Sequence, residues 1–167
     1  MERESGGAVV IRPADRPGDL GWVLMAHAEI YREQFGWDEQ FEALVARVVA
    51  DYATLHDAQR EAGWIAEVDG ARVGCIFLVA AAEPDVAKLR LLLVHPDARG
   101  LGVGRLLVST CVSFARARAY RALTLWTTDA LEGARAIYRR AGFELVAARH
   151  STDFGHELTN EDWRLDL

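Results

Sequence analysis

Val94-His-Pro-Asp-Ala-Arg-Gly-Leu-Gly-Val-Gly-Arg105 sets three alternating glycines between a continuously apolar run, Leu91 to Val94, and an amphipathic one. The apolar run reads as a central strand covered on both faces, because a strand with one wet face alternates instead. Beyond the glycines, Val103, Leu106, Leu107, Cys111 and Phe114 recur at helical spacing, which predicts a helix over 103–119. The junction is therefore strand, glycine turn, helix. Glycines there let backbone amides approach a ligand, and the unpaired N–H groups of a first helical turn favour an anion, typically a phosphate. A tight turn that needs glycine only for its dihedrals is the competing explanation. Register excludes two nucleotide loops. A dinucleotide loop needs Gly-x-Gly-x-x-Gly, and its last position falls here on Arg105 or Leu107. A Walker A loop begun at Gly100 meets Arg105 where its second glycine belongs, and no Lys-Ser/Thr pair follows.

Working outward, Ala8 to Ile11 is β-branched, ends at Pro13 and reads as a strand. Pro17 opens a helical stretch that Gly36 ends, with Leu20, Val23, Leu24, His27 and Tyr31 on one face. Asp38 caps a second helix whose stripe is Phe41, Leu44, Val45, Val48, Tyr52 and Leu55. Trp64 to Val68 and Val73 to Val79, joined through Asp69-Gly70, read as a hairpin, and Val86 to Val94 adds a third strand. Past the glycine turn come a strand at Leu123 to Thr127 and a helix at Leu131 to Arg140, closed by Gly142. Phe143 to Ala147 and Trp163 to Leu167 supply the last two strands. The order β-α-α-β-β-β-α-β-α-β-β is mixed α/β, and with no repeat or linker, 1–167 reads as a single domain.

Composition narrows the partners. The 167 residues carry 19 Lys+Arg against 25 Asp+Glu, a formal charge of −6, which argues against a nucleic-acid binder with its basic face. A hydrophobic share of 51% excludes a disordered chain. Cys75 and Cys111 stand apart in apolar surroundings and read as reduced, buried thiols. The segment Met-Glu-Arg-Glu-Ser-Gly-Gly7 precedes no apolar run of signal-peptide length, and no run is long enough to span a membrane, so a cytoplasmic location is expected. His27, His56, His95, His150 and His156 lack metal-ligand spacing, and no metal is expected.

The glycine turn resembles the pyrophosphate loop of the GNAT superfamily of N-acetyltransferases, Arg/Gln-x-x-Gly-x-Gly/Ala. It stands here as Arg99-Gly-Leu-Gly102-Val-Gly104 and follows Val94-His-Pro96. The run Ala134-Arg-Ala-Ile-Tyr138 with Gly142-Phe143 is similar to that family's later helix, which carries Ala-x-x-x-Tyr and ends in Gly-Phe. The resemblance covers about Trp64 to Ala147. The front helices and Phe154-Gly-His-Glu-Leu158 look like the acetyltransferase half of MarR-type regulator–acetyltransferase fusions, with no DNA-binding domain expected in these residues.

The resemblance implies a mostly antiparallel sheet of six to seven strands, helices on both faces and a central strand pair that splays apart. Acetyl-CoA, the co-substrate, would lie in that fork. Pantetheine would bond to the main chain of Leu92, Leu93 and Val94, and the diphosphate to the amides of Arg99, Gly100, Gly102, Val103, Gly104 and Arg105. The acceptor would be a primary amine of a small molecule or peptide that attacks the thioester directly, with Tyr138 protonating the departing thiolate. Arg116, Arg118 and Arg121 read as a solvated helix end favoured by the dipole, with contact between the 3′-phosphate and these residues, Arg139 or Arg140 as the alternative, and Trp37 and Phe41 would wall the acceptor site or anchor the core. A homodimer is also in keeping with the family. The chain departs from the pattern twice. The family's asparagine three residues before the helix alanine is Leu131 here, for which Asp129 or Thr128 is a substitute. The central strand, Ala87-Lys88-Leu89-Arg90, lacks the carboxylate that serves many members as base. Glu29, Glu33, His150, His156 and a bound water remain as bases. The reading from another class is a non-catalytic acyl-CoA-binding sensor or interaction module, and a nucleotide-dependent oxidoreductase is the third.

Overall fold

A computed structural model describes residues 7–167. The opening segment on which no signal peptide was read lies, but for Gly7, outside the described residues. Chain order is β1 (Val9–Pro13), α1 (Asp19–Phe35), α2 (Glu39–Leu55), β2 (Ala62–Val68), β3 (Ala71–Ala80), β4 (Val86–Val94), α3 (Val103–Ala117), β5 (Ala122–Thr128), α4 (Glu132–Ala141), β6 (Glu144–Asp153) and β7 (His156–Asp166). A short 3-10 turn, Pro96–Ala98, precedes the glycines. The seven strands form one sheet in the order β1-β2-β3-β4-β5-β7-β6, antiparallel throughout except where β4 meets β5.

Each face of the sheet has its own core. Leu89 of β4, Leu123 and Leu125 of β5 and Ile76 of β3 pack on Leu107, Val108 and Cys111 of α3 and on Tyr138 of α4. The opposite face sets Ile65, Cys75, Phe77 and Leu93 against Val23, Ala26 and Ile30 of α1. A third cluster joins α2 to the far end of the sheet through Trp37, Phe41, Val45, Phe154 and Leu158. Asp38 starts α2 by accepting from the Gln40 N–H at 3.0 Å, a cap of about 1 kcal/mol. At its root, α1 is tied to the sheet by a bidentate pair, Arg12 Nη1 and Nη2 to Asp19 at 2.8 and 2.9 Å.

The last hairpin departs from the sequence expectation. β6 and β7 run ten and eleven residues, about twice the lengths read from the pattern, and turn through Phe154-Gly155. Nearly every residue of β6 is exposed, so its strand character comes from backbone pairing with β7 and leaves no apolar alternation to read. The turn has positive φ at both residues, 56° and 82°, the hairpin geometry that Asn-Gly or Asp-Gly normally signals. Here a phenylalanine takes the first position because its ring is buried against Trp37 and Phe41.

One irregularity in β4 shapes the site. The strand pairs with β5 only from Val86↔Ala122 to Lys88↔Thr124, and beyond that the two parallel strands part. In the same stretch its register with β3 shifts, and Leu91 adopts φ 56°. A left-handed non-glycine residue costs about 1–2 kcal/mol. The Cys75 thiol meets the Leu91 carbonyl at 3.2 Å. The bulge reverses the alternation of faces. Before it, Ala87 and Leu89 face α3, whereas after it Leu92 and Val94 do, and Leu91 and Leu93 pack toward α1 and α2. Past the bulge both faces are covered, which is why Leu91 to Val94 is an unbroken apolar run.

Candidate active site

A cleft of about 950 Å³ opens where β4 and β5 diverge, floored by Leu92 to Val94 and bounded by α1, α3 and α4. The edge of β4 beyond Lys88 has no partner strand. His95 N–H donates to Val73 of β3 at 2.7 Å, so the alternation of an extended strand turns the polar groups of Val94 and Leu92 toward the fork. The main chain of Leu93 faces β3 instead, while the residue itself still borders the cleft.

At the open end of the fork stands the glycine turn. Gly100 and Gly102 have φ of 84° and 78°, a region that side-chain-bearing residues rarely adopt. Gly104 serves packing, since a Cβ there would lie 2.5 Å from Cδ1 of Ile137 on α4. Gly102 begins α3 with no side-chain cap and no acid in the first turn. Among the described residues, the N–H groups of Gly100, Gly102, Val103, Gly104 and Arg105 have no protein acceptor, and the first bond of the helix is Leu106 N–H to Gly102 at 3.0 Å. Both explanations of the glycines therefore hold together: the turn needs positive φ, and it leaves five amides without an acceptor at the start of α3. Arg99 differs from the residues that follow it. Its N–H donates to Pro96 at 3.3 Å, and its guanidinium reaches Gln34 of α1 at 2.9 Å.

Arg105, Arg116 and Arg140 also border this cleft and have no carboxylate partner among the described residues. The other basic residues weighed for the same role lie elsewhere. Arg118 packs over Phe114, Arg139 over Trp163, and Arg121 pairs with Glu83.

A second cavity of about 450 Å³ continues beneath the fork, between β4, α2 and the β6–β7 turn. Tyr31, Leu92, Leu131 and Ala134 border both spaces, so the two communicate. Its aromatic wall includes Tyr31, Trp37, Phe41, Trp126 and Phe154. Trp37 stacks on Tyr31 at 5.2 Å, and both Trp37 and Phe41 are core residues as well as wall. Tyr138 lies on this side of the fork, 4% exposed and 5.8 Å from the Phe143 ring. Burial, reinforced by the neighbouring Tyr31, pushes its phenol well above the ordinary range, so it stays protonated at neutral pH. His27 also lines the cavity. Its Nδ1–H donates to the Val23 carbonyl at 2.7 Å, and burial lowers its pKa to about 4, which keeps the ring neutral.

The four proposed side-chain bases, Glu29, Glu33, His150 and His156, border neither space, and His156 instead sits 3.1 Å from the Gly36 carbonyl at the end of α1. Asp129 is held by the Thr159 N–H at 3.0 Å, and neither it nor Thr128 reaches the cavities. Sequence reasoning placed Tyr31 only on one face of α1 and missed its place at the junction. It also passed over Thr127, which is 2% exposed, borders the second cavity and has no partner for its hydroxyl. Among the described residues there is no cluster of three His, Cys, Asp or Glu able to hold a metal, and no helix long and apolar enough to cross a membrane.

Comparison with known proteins bears on this architecture. The sequence is 33% identical over 131 residues to an uncharacterised N-acetyltransferase of Methanocaldococcus jannaschii, an alignment covering 75% of this chain and 57% of that protein. The chain thus spans little more than half of that relative. Two solved structures share the fold. A ribosomal-protein-alanine N-acetyltransferase of Brucella melitensis superposes with a TM-score of 0.75 at 21% identity, over 95% of this chain and 99% of that one. A putative acetyltransferase of Salmonella typhimurium, solved with its cofactor acetyl-CoA, gives 0.74 at 18% identity over 96% and 95%. Residues 24–143 match the acetyltransferase (GNAT) family. Because that match runs through both arms of the fork, the bulged strand and the glycine turn, the chain belongs to the GNAT family of acetyltransferases.

Proposed function

We propose that this chain is an N-acetyltransferase that moves the acetyl group of acetyl-CoA to a primary amine in a ternary complex. The observation that carries the proposal is the nest of five acceptorless N–H groups at the mouth of a fork whose free strand edge leads to a buried tyrosine. The diphosphate binds the amides of Gly100, Gly102, Val103, Gly104 and Arg105, with Arg99 and the α3 dipole adding positive field. Arg116 and Arg140 face the remaining phosphate. Pantetheine extends along β4 and bonds to Leu92 and Val94 on either side of Leu93. The Val94 N–H polarises the thioester carbonyl. The amine arrives through the second cavity. Its nitrogen bonds to the carbonyl carbon, the carbon–sulfur bond breaks, the amine proton leaves through water, and Tyr138 supplies a proton to the thiolate.

A cytoplasmic location accords with two buried, free cysteines. A homodimer would use the β6 edge, where Leu145 and Val146 are 48% and 59% exposed, and sedimentation as a monomer would remove that part.

The test is thiol release from acetyl-CoA across a panel of amines. Tyr138→Phe should lower kcat about 100-fold while leaving acetyl-CoA affinity unchanged. Unaltered turnover would remove the acid role. Binding of acetyl-CoA without turnover on any amine would favour the sensor reading instead.

A further inference from the structure

The second cavity is basic in an acidic protein. Ala87 and Leu89 pack into the α3 face of the sheet, so Lys88 and Arg90 project from the other face, toward α2. Both are half-buried, both line the second cavity, and Arg47 of α2 joins them at its rim. Among the described residues none of the three takes part in a salt bridge or a side-chain hydrogen bond. The carboxylates that face them do not neutralise them. Asp51 and Asp162 act on Arg90 and Lys88 only at a distance, and Asp162 is already paired with Arg149 at 2.7 Å. Asp153 borders the same cavity but accepts from Ser151 at 2.7 Å and Asn160 at 2.9 Å. The buried, unpartnered Thr127 hydroxyl adds a further polar group with nothing to bond.

Withdrawing two neighbouring cations from water without counter-ions is unfavourable, and it gives the fold no packing that two apolar residues would not give better. Burial lowers the pKa of both, and the charge on Arg90 lowers that of Lys88 further. An anion brought by the ligand resolves that arrangement. Arg90 stands two residues before Leu92, where the fork and the cavity meet, and the bulge at Leu91 shortens the span between them below the roughly 7 Å of two extended residues. A guanidinium on its side-chain stem covers much of that span. A molecule whose amine is held at the fork therefore has Arg90 and Lys88 within its own length, and the aromatic residues of the same cavity offer a surface for an apolar side chain.

We propose that the acceptor is an amine that also carries a carboxylate, an amino acid with an apolar side chain, and that Arg90 and Lys88 are the residues that select it. The proposal rests on the acetyltransferase reading and adds the acceptor class.

Matched acceptors test it: phenylalanine against phenethylamine and phenylalanine amide, and leucine against isoamylamine. The acids should show KM values about 10- to 100-fold below their carboxylate-free counterparts, the range set by hydrogen bonds to a charged group. Arg90→Gln and Lys88→Gln should each reduce that ratio, and the double variant should bring it near one. Turnover of the carboxylate-free amines with equal or lower KM than the acids would overturn the proposal while leaving the acetyltransferase reading intact. If no acceptor is turned over, the acetyltransferase reading fails separately. Tryptophan fluorescence titrations of the CoA-saturated protein with the same pairs then decide. Tighter binding of the acid supports the anion site, and equal or weaker binding contradicts it.

Discussion

Arg12 and Arg90 are both withdrawn from solvent, and the molecule surrounds them differently. Arg12, 8% exposed, makes a fork-to-fork pair with Asp19, whose side chain is fully buried, and a 2.6 Å bond to Glu67. Arg72 closes the network on Asp19 at 2.9 Å. Arg90 has no such partner, and it shares a cavity with Lys88, which lacks one as well. The difference separates two uses of charge. A guanidinium bonded to protein through all three nitrogens holds elements together, here α1 to the edge of the sheet. One left unmet beside a cavity raises the energy of the empty protein and waits on a ligand.

The contrast should break first at Asp19. Asp19→Ala strands the Arg12 guanidinium and should lower stability in urea by about 3–5 kcal/mol. Removing both partners with Arg12→Met and Asp19→Leu should recover much of that loss. A single-variant cost below 1 kcal/mol would mean that the network is ornamental.

Acid sharpens the comparison next. His27 has a folded pKa of about 4 against an ordinary 6.5, so between those values the unfolded chain binds the extra proton. Stability should therefore fall as pH drops from 6.5 toward 4, by roughly 3 kcal/mol in total. Arg12 holds the Asp19 carboxyl well below the usual range, so its contribution persists through that window and is lost only at lower pH. His27→Gln should flatten the upper part of the profile and leave the lower part. A flat profile in the wild type between 6.5 and 4 would contradict the assignment.

The smallest effect belongs to the exposed cations of the larger cleft. Arg116→Ala and Arg140→Ala should each weaken acetyl-CoA about two- to fivefold, more at low salt, with Tm unchanged. A loss of stability in either would show that the residue belongs with Arg12 rather than with the site.

Much of this arrangement was legible in the residues. Element order, the Asp69-Gly70 turn and the helix stripes follow from apolar period, because each helix and each central strand is buried on a defined face. The glycine turn was legible because its chemistry is local: the amides, the positive φ and the helix start lie within a few residues. What could not be read is what distant segments make together. Tyr31 belongs to a helix stripe in sequence and to both cavities in space. The reach of β6 was hidden because backbone pairing sustains it without buried side chains. One signal was available and unused. Lys88 and Arg90 alternate within a strand covered on both faces, a place where cations do not ordinarily go unpaired.

An acyl-CoA held by the glycine nest is detected by calorimetric titration with acetyl-CoA. The wild type should bind one equivalent with micromolar or tighter affinity. Gly102→Arg places a side chain where φ is 78° and the nearest side chain to a Cβ is Arg105 at 3.7 Å, so the fold should persist with the amide nest blocked. That variant should show at least a 100-fold loss of affinity, about 2.7 kcal/mol, with its unfolding transition still cooperative. Equal affinity in the variant, or no binding by the wild type, would contradict the account.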